Sequence, residues 1–187
     1  MEKILTILFI AIVYTHAGFA VKSYREIRNE GVVRQNYEES CGAAAVATLL
    51  NLLDMHQFSE SDIVSKMSSN TNMVSFLELS KVLHDLGWEN KGYQISREVF
   101  EKLNMPVLVK IQNDPRYPHF VVVINQIGDF VSVFDPNFGK YISSKDEFYS
   151  IWDKDNLGGY VLIVNPKNEF IPSHKLNLPT NKSIFDK

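Results

Sequence analysis

The sequence predicts an α+β domain in which a helical amino-terminal half packs on an antiparallel β-sheet. Up to Pro106, apolar residues recur at helical spacing, and several of these segments open with serine capping residues. From Val107 onward the period changes, and short runs of β-branched and aromatic residues alternate with turn residues. Helices first and strands later are typical of α+β domains with antiparallel sheets.

The helical half contains four predicted helices. The first is rich in alanine and leucine, lacks glycine and proline, and carries apolar residues on successive turns, which is typical of a buried helix. Capping boxes at Ser59 to Asp62 and at Ser75 to Glu78 open the next two, and Gly87 ends the third. The predicted helices span 43–53, 60–67, 76–86 and 96–103.

The predicted strands follow, with a short one before Pro106 and the others after it. They are β-rich runs separated by turn residues, and one further helix is opened by Ser144 and Glu147. The strands span 92–95, 107–111, 119–127, 130–135 and 159–164, and the helix spans 145–152.

The hairpin formed by the third and fourth predicted strands carries two residues of chemical interest. Both strands are apolar on both faces, which predicts central strands covered on each side. His119 begins one strand and Asp135 ends the other, so both lie at the same edge of the sheet. A two-residue turn would pair Asp135 with Val122, whereas a four-residue loop would pair it with Phe120, next to His119. We expect the longer loop, because it brings the carboxylate within reach of the imidazole.

Length and composition predict one compact domain. The chain has 187 residues, of which 45% are hydrophobic and 22% are charged, enough for one domain with a real core. We expect this domain at 31–164, after a lead-in at 21–30 and before a polar, proline-bearing, poorly ordered tail at 165–187. The formal net charge of −3 provides no basic stripe, which argues against nucleic acid as a partner.

The amino terminus predicts an export signal at 1–20. Lys3 supplies a positive region, residues 4–13 an apolar core, and Gly18 to Ala20 a small-x-small site, with cleavage expected after Ala20. An uncleaved anchor is the alternative, although the apolar run is about half of the ~20 residues that span a bilayer. We expect an exported protein, periplasmic or extracellular in a bacterium, that associates with a membrane only if this segment is retained.

The chain has a single cysteine, Cys41, at the point where a polar turn meets the first predicted helix. An exported protein usually pairs its cysteines, so an unpaired one is either buried as a small hydrophobe or reactive. In the first turn of a helix, where Ser40 is a candidate N-cap, free backbone N–H groups stabilise a thiolate. Gly42 leaves room for a substrate backbone. Cys41 is therefore a candidate nucleophile.

His119 and Asp135 each have an ordinary explanation on their own. A histidine at a strand end is commonly a surface residue, and Asp135-Pro136 is a common turn opener. Together with Cys41, they form the set that a thiol hydrolase needs. No histidine and cysteine cluster has zinc spacing, the chain has no ATP-binding loop, and no cofactor is predicted.

These residues resemble a known family. Gln35 followed by Cys41-Gly42 at a helix start, and then by the distant His119 and Asp135, is similar to the papain-like cysteine peptidases that remove double-glycine leader peptides from bacteriocin precursors. The resemblance covers roughly residues 31–164 and is closer to stand-alone exported members than to those fused to transporters. Ser40 stands where the transporter-fused members usually carry an acidic residue.

The resemblance implies a papain-like fold and a role for each residue. Cys41 would be the nucleophile, His119 its base and later acid, Asp135 the group that orients the imidazole, and Gln35 the side-chain oxyanion donor. On its own, Gln35 reads as a surface polar residue. The implied activity is an exported cysteine peptidase acting on a peptide or protein substrate, with an exported precursor as one candidate. A catalytically silent peptide-binding module and a thiol acyltransferase or deamidase with the same residues remain open as alternatives.

Overall fold

A computed structural model describes residues 21–54, 57–67, 74–114, 117–126 and 128–166 of the chain. The predicted export signal at 1–20 and nearly all of the predicted tail lie outside these ranges. Within them, no helix combines the length and the apolar character that crossing a bilayer requires.

The described residues form six α-helices and six β-strands. The helices are α1 (Tyr24–Asn29), α2 (Cys41–Asp54), α3 (Glu60–Val64), α4 (Phe76–Asp85), α5 (Arg97–Glu101) and α6 (Lys145–Trp152). A 3₁₀ turn (Glu38–Ser40) leads directly into α2. The strands are β1 (Asn90–Ile95), β2 (Val107–Asp114), β3 (Tyr117–Asn125), β4 (Phe130–Asp135), β5 (Gly139–Ser144) and β6 (Gly159–Val164).

The strands form one antiparallel sheet in the order β1-β6-β2-β3-β4-β5. Four of the five helices that follow the lead-in precede β2 in the chain, and α2 packs directly against β3. The predicted α+β fold, with a helical amino-terminal half on an antiparallel sheet, is confirmed.

Both faces of the central part of the sheet are buried. One face packs on α2 and α4 through alternate strand residues such as Phe120, Val122 and Phe134. The other packs on the aromatic side chains of α5 and α6 through Val121, Val123 and their neighbours. Val121, Val122 and Val123 are each 0% exposed, which explains why their segment is apolar without alternation. The prediction that these are central strands covered on both sides is confirmed.

The predicted bounds agree best where capping or turn residues mark them. The helix at 145–152 and the strands at 130–135 and 159–164 occur as predicted, whereas α3 and α5 end earlier than expected. The first long helix begins at Cys41 rather than Ala43 because the 3₁₀ turn runs straight into it.

Two elements were not predicted. Helix α1 lies within the lead-in, where a capping box between Ser23 and Glu26 was a readable signal. Strand β5 has a half-exposed, polar sequence and lies at the edge of the sheet, so it lacks the hydrophobic period of a buried strand.

Gly42 packs into the core instead of lining a substrate path. A Cβ at Gly42 would lie 3.3 Å from the Leu79 side chain and 3.4 Å from the Phe120 ring. The first turn of α2 therefore rests closely on β3, and the expectation that Gly42 makes room for a substrate backbone is not supported. This contact sets the distance between the start of α2 and the start of β3.

Gly139 allows a similar close approach in the turn after β4. Its φ of +89° is one that other residues rarely adopt, and a Cβ there would lie 2.6 Å from the carbonyl oxygen of Arg28. Because Gly139 pairs with Asp135 across β4 and β5, this approach joins α1 to the turn that carries Asp135.

We expect Gly139→Ala to lower the free energy of unfolding by more than Gly128→Ala does. Gly128 has a similar φ of +85° but nothing within 4 Å of a Cβ, so it controls for backbone strain alone. Strain costs about 1–2 kcal/mol at either site, and the clash adds about 1–3 kcal/mol at Gly139. Urea denaturation of both variants measures the difference, and equal losses would show that the approach to Arg28 is not constraining.

Candidate active site

Three of the four residues singled out from the sequence meet at one edge of the sheet. Cys41 is the first residue of α2, His119 lies near the start of β3, and Asp135 is the last residue of β4. The His119 ring is hydrogen-bonded to Asp135, and it is close enough to the Cys41 thiol for the two groups to interact electrostatically. A thiol, an imidazole and a carboxylate therefore lie in series, with the imidazole in the middle.

The imidazole and carboxylate are held closely and largely away from solvent. His119 Nε2 lies 2.9 Å from Asp135 Oδ1, with the side chains 18% and 0% exposed, respectively. Because Nε2 faces the carboxylate, Nδ1 is the ring nitrogen left for a further partner. Oδ1 also accepts the backbone N–H groups of Asn137 at 2.7 Å and Phe138 at 3.0 Å, which fix the orientation of the carboxylate.

The hairpin register differs from both alternatives considered from the sequence. Val122 pairs with Phe134, so Asp135 lies level with Val121, and the hairpin closes with a bond from Gln126 N–H to the Phe130 carbonyl oxygen. Three residues separate that closing pair, so the prediction of a four-residue loop is wrong.

The reason lies in the alternation of side chains along a strand. Residues directly opposite each other share a face, so pairing with Phe120 would have placed Asp135 on the face opposite that of His119. Level with Val121, the carboxylate shares the face of His119, two residues away, and reaches the imidazole diagonally.

Electrostatics favour the charged form of both groups. Burial lowers the pKa of His119, but hydrogen bonds to Asp135 and Cys41 and their negative charges outweigh it and raise the pKa from 6.5 to about 9. Burial likewise raises the pKa of Asp135, but the His119 bond and charge and the two backbone N–H groups outweigh it, so the net pKa is lowered. At neutral pH the site holds an imidazolium beside a carboxylate.

Ser40 does not act as the N-cap of α2. Its hydroxyl accepts the backbone N–H of Tyr37 at 3.2 Å, lies 2.8 Å from the Tyr37 carbonyl oxygen, and also contacts Glu60. The expectation of an N-cap fails because the 3₁₀ turn continues directly into α2, with Cys41 in helical backbone conformation. Cys41 is half-buried and unpaired at this junction.

Gln35 lies on the other side of the same turn. Its backbone N–H donates to the Pro136 carbonyl oxygen at 3.1 Å, which ties it to the turn after Asp135. Its side-chain Nε2 donates to the carbonyl oxygens of Tyr37 at 3.1 Å and Glu38 at 3.4 Å, and its Oε1 is buried without a partner. The side-chain amide thus points into the turn that leads to Cys41.

Glu60 is a member of this region that sequence reasoning missed. Its carboxylate, on a residue only 3% exposed, accepts the Asn36 backbone N–H at 2.9 Å and also contacts the Asn36 amide and the Ser40 hydroxyl. Its place in the first turn of α3 was readable, but the sequence carried no signal of a partner 24 residues upstream.

The described residues contain no group of three His, Cys, Asp or Glu side chains able to hold a metal ion. What the arrangement offers is nucleophilic chemistry. A thiol beside an imidazolium that a buried carboxylate orients is suited to attack on an acyl carbon followed by protonation of the leaving group.

Comparison with known proteins relates this geometry to a family. The sequence pattern of the peptidase C39 family matches residues 29–169. The chain is 31% identical over 140 residues to the probable functional amyloid protease FapD of Pseudomonas fluorescens, covering 71% of this chain and 62% of that protein. This chain therefore spans about three fifths of the length of that curated relative.

Two solved structures share the fold. The peptidase domain of Streptococcus ComA, a bi-functional ABC transporter involved in quorum sensing, superposes with a TM-score of 0.64 at 21% identity, covering 73% of this chain and 98% of that one. A double glycine motif protease from an AMS/PCAT transporter, crystallised with a leader peptide, gives a TM-score of 0.61 at 24% identity, covering 72% and 90%.

The likeness to the solved structures confirms the papain-like α+β fold, and the sequence match extends across the region that contains Gln35, Cys41, His119 and Asp135. With three quarters of its length inside that match, the chain belongs to the peptidase C39 family.

Proposed function

We propose that this protein is an exported cysteine peptidase that cleaves a peptide or protein substrate. In this proposal Cys41 is the nucleophile, His119 is the base and later the acid, and Asp135 orients the imidazole. The observation that carries it is a single imidazole that lies 2.9 Å from a fully buried carboxylate and interacts electrostatically with the thiol.

The reaction follows from the charges of the three groups. The Cys41 thiolate attacks the carbonyl carbon of the scissile bond and forms a tetrahedral intermediate. The His119 imidazolium then gives its proton to the departing amine, leaving a thioester on Cys41. His119, now neutral, accepts a proton from the water that hydrolyses the thioester. Asp135 stays ionised throughout and stabilises the imidazolium, because its carboxylate is held by two backbone N–H groups.

The oxyanion is stabilised in this proposal by the Cys41 backbone N–H and the Gln35 amide. Gln35 Nε2 has two N–H groups, and its bond to the Glu38 carbonyl oxygen, at 3.4 Å, is the longer of the two that it makes. As the substrate carbonyl oxygen gains negative charge, it takes the place of the Glu38 carbonyl oxygen as acceptor. The hydrogen bond from Gln35 is therefore strongest in the transition state.

The substrate and location are part of the proposal. The signal pattern at 1–20 supports export to the periplasm or the cell exterior, with an exported precursor as the partner. A peptide that contains a Gly-Gly sequence followed by further residues is the first substrate to test, because one structural relative is named as a double glycine motif protease.

The experiment that tests the proposal is incubation of the purified chain with a Gly-Gly peptide and a quenched peptide library, followed by mass spectrometry. Fragments that together gain one water support a peptidase. Transfer to an added amine, or conversion of a side-chain amide to an acid without cleavage, would instead identify an acyltransferase or a deamidase. Tight binding with none of these products would identify a silent peptide-binding module.

We expect Cys41→Ala to abolish turnover without unfolding the domain, since the side chain is small and only half-buried. Peptide cleavage and thermal unfolding of the same preparation measure the two effects. Full activity in Cys41→Ala would exclude Cys41 as the nucleophile.

We expect the rate of peptide cleavage to fall as pH rises through about 9, where His119 loses its proton.

At neutral pH iodoacetamide should label Cys41 rapidly in the wild type, because the imidazolium stabilises the thiolate. In His119→Ala labelling at neutral pH should be slower, because the thiolate loses this partner. His84→Ala, on the exposed surface of α4, is the control. Identical labelling profiles for wild type and His119→Ala would contradict the pairing.

The same pKa predicts how stability depends on pH. Because the folded-state pKa of His119 is raised above 6.5, the stabilisation from its partners is fully present below pH 6.5 and is lost as pH rises through about 9. Urea denaturation at several pH values should show this loss in the wild type and not in His119→Ala.

We expect Gln35→Ala to lower kcat by about 10²–10³-fold with little change in KM, because its bond strengthens in the transition state. Gln94→Ala is a matched control, since Gln94 also donates through Nε2 to two backbone carbonyl oxygens, on edge strand β1. Steady-state kinetics of both variants decide the matter. Equal kcat values for the two variants would remove Gln35 from the site.

A further inference from the structure

Glu60 is a buried carboxylate without an ion-pair partner among the described residues. It is only 3% exposed, and none of the ion pairs in the described part of the chain includes it. Burying a charged group is costly unless several hydrogen bonds replace its water. Its hydrogen-bond partners should therefore reveal why a carboxylate occupies this position.

All of the side-chain bonds described for Glu60 come from one short segment. Oε1 accepts the Asn36 backbone N–H at 2.9 Å and contacts the Ser40 hydroxyl, while Oε2 contacts the Asn36 side-chain amide. Asn36 and Ser40 are the two ends of the segment that joins Gln35 to Cys41. One carboxylate thus holds both ends of the turn between the proposed oxyanion donor and the proposed nucleophile.

The support behind Glu60 is rigid. Glu60 opens α3, where Ser59 and Asp62 form a capping box and the side chain of Ile63 is fully buried in the core. On its other side the segment is tied by the bond from Gln35 N–H to the Pro136 carbonyl oxygen, in the turn after Asp135. The segment is therefore held between α3 and the turn that carries Asp135.

Fold stability alone does not account for a carboxylate here. A buried charge is often replaced by an apolar side chain of similar size at no loss of stability. A carboxylate differs from such a side chain in that it accepts several hydrogen bonds at once and so fixes the spacing of their donors.

We infer that Glu60 is a positioning residue of the active site, which sets the distance between Gln35 and Cys41 by bonding to both ends of the segment 36–40. This inference rests on the proposed function. Glu60 acts on the geometry of the oxyanion donor and the thiol, and it makes no contact with substrate.

The test compares Glu60→Gln with Asp62→Asn in the full chain. Gln has nearly the shape of Glu but keeps only one acceptor oxygen, so the Asn36 and Ser40 bonds cannot all persist. Asp62 lies in the same helix and is exposed, and its carboxylate accepts the Ser59 N–H and hydroxyl, outside the segment. Asp62→Asn therefore controls for a general loosening of α3.

Four measurements separate a positioning role from an effect on stability. They are kcat, KM, the rate at which iodoacetamide labels Cys41, and the rate of hydrogen exchange at the Asn36 backbone N–H. The cleavage assays use the quenched peptide that the wild type cuts fastest. We expect Glu60→Gln to lower kcat by about tenfold, less than the ~10²–10³-fold loss for removing an oxyanion donor, because the donor is displaced and not lost. KM should change by less than about twofold, because the displaced donor acts mainly in the transition state. The labelling rate should change as little, because alkylation of the thiol forms no oxyanion. In Glu60→Gln the hydrogen of the Asn36 backbone N–H should exchange faster with solvent. Asp62→Asn should change none of these four values.

Unchanged kcat or unchanged Asn36 exchange in Glu60→Gln would overturn the inference, as would an equal loss of kcat in Asp62→Asn. If the wild type cleaves no peptide, the proposed function fails, and Asn36 exchange still decides whether Glu60 holds the segment. If Glu60→Gln does not fold, Ser40→Ala removes one of the same bonds and is measured in its place. A double variant, Glu60→Gln with Ser40→Ala, gives a further check. If its loss of kcat, expressed as a free energy, is smaller than the sum of the two single losses, the two residues share one role.

Discussion

The packing of the first turn of α2 on the start of β3 is the constraint on which the site depends. Gly42 has no side chain, and its Cα lies so close to Leu79 and Phe120 that a Cβ would approach them to within 3.3–3.4 Å. Phe120 is the neighbour of His119, and Gly42 is the neighbour of Cys41. A close contact between two core residues therefore brings together a thiol and an imidazole that are 78 positions apart in the chain.

Burial gives the site its electrostatic character. Asp135 is fully buried, and a carboxylate in that position is stable only because an imidazolium and two backbone N–H groups replace water. The same burial strengthens the attraction between the two charges, which keeps His119 protonated at neutral pH. The turn after β4 thus has two roles, since its N–H groups hold the carboxylate and its Pro136 carbonyl oxygen holds Gln35.

The segment between Gln35 and Cys41 shows how an irregular stretch of backbone is made rigid. It contains only a single 3₁₀ turn, yet Pro136 fixes it from one side and Glu60 from the other. Sites carried by loops need such external supports, because short turns have few hydrogen bonds of their own. The geometry at Cys41 therefore depends on α3 and the β4–β5 turn as much as on α2.

The sequence by itself determined most of the helices and strands and the identity of the three interacting residues. Helix periodicity, capping boxes and the apolar hairpin are local signals, so they located α2, α4, α6 and the central strands and placed Cys41, His119 and Asp135 at element ends. Only the tertiary structure decided which face Asp135 occupies, because a shift of one residue in register moves a side chain across the sheet. It also decided that Ser40 bonds to Glu60 rather than capping α2 and that Gln35 bonds to its own turn. The contact with Glu60 joins residues that are far apart in the chain. The bonds that Gln35 makes depend on how the 3₁₀ turn enters α2. No local sequence pattern therefore predicts either of them.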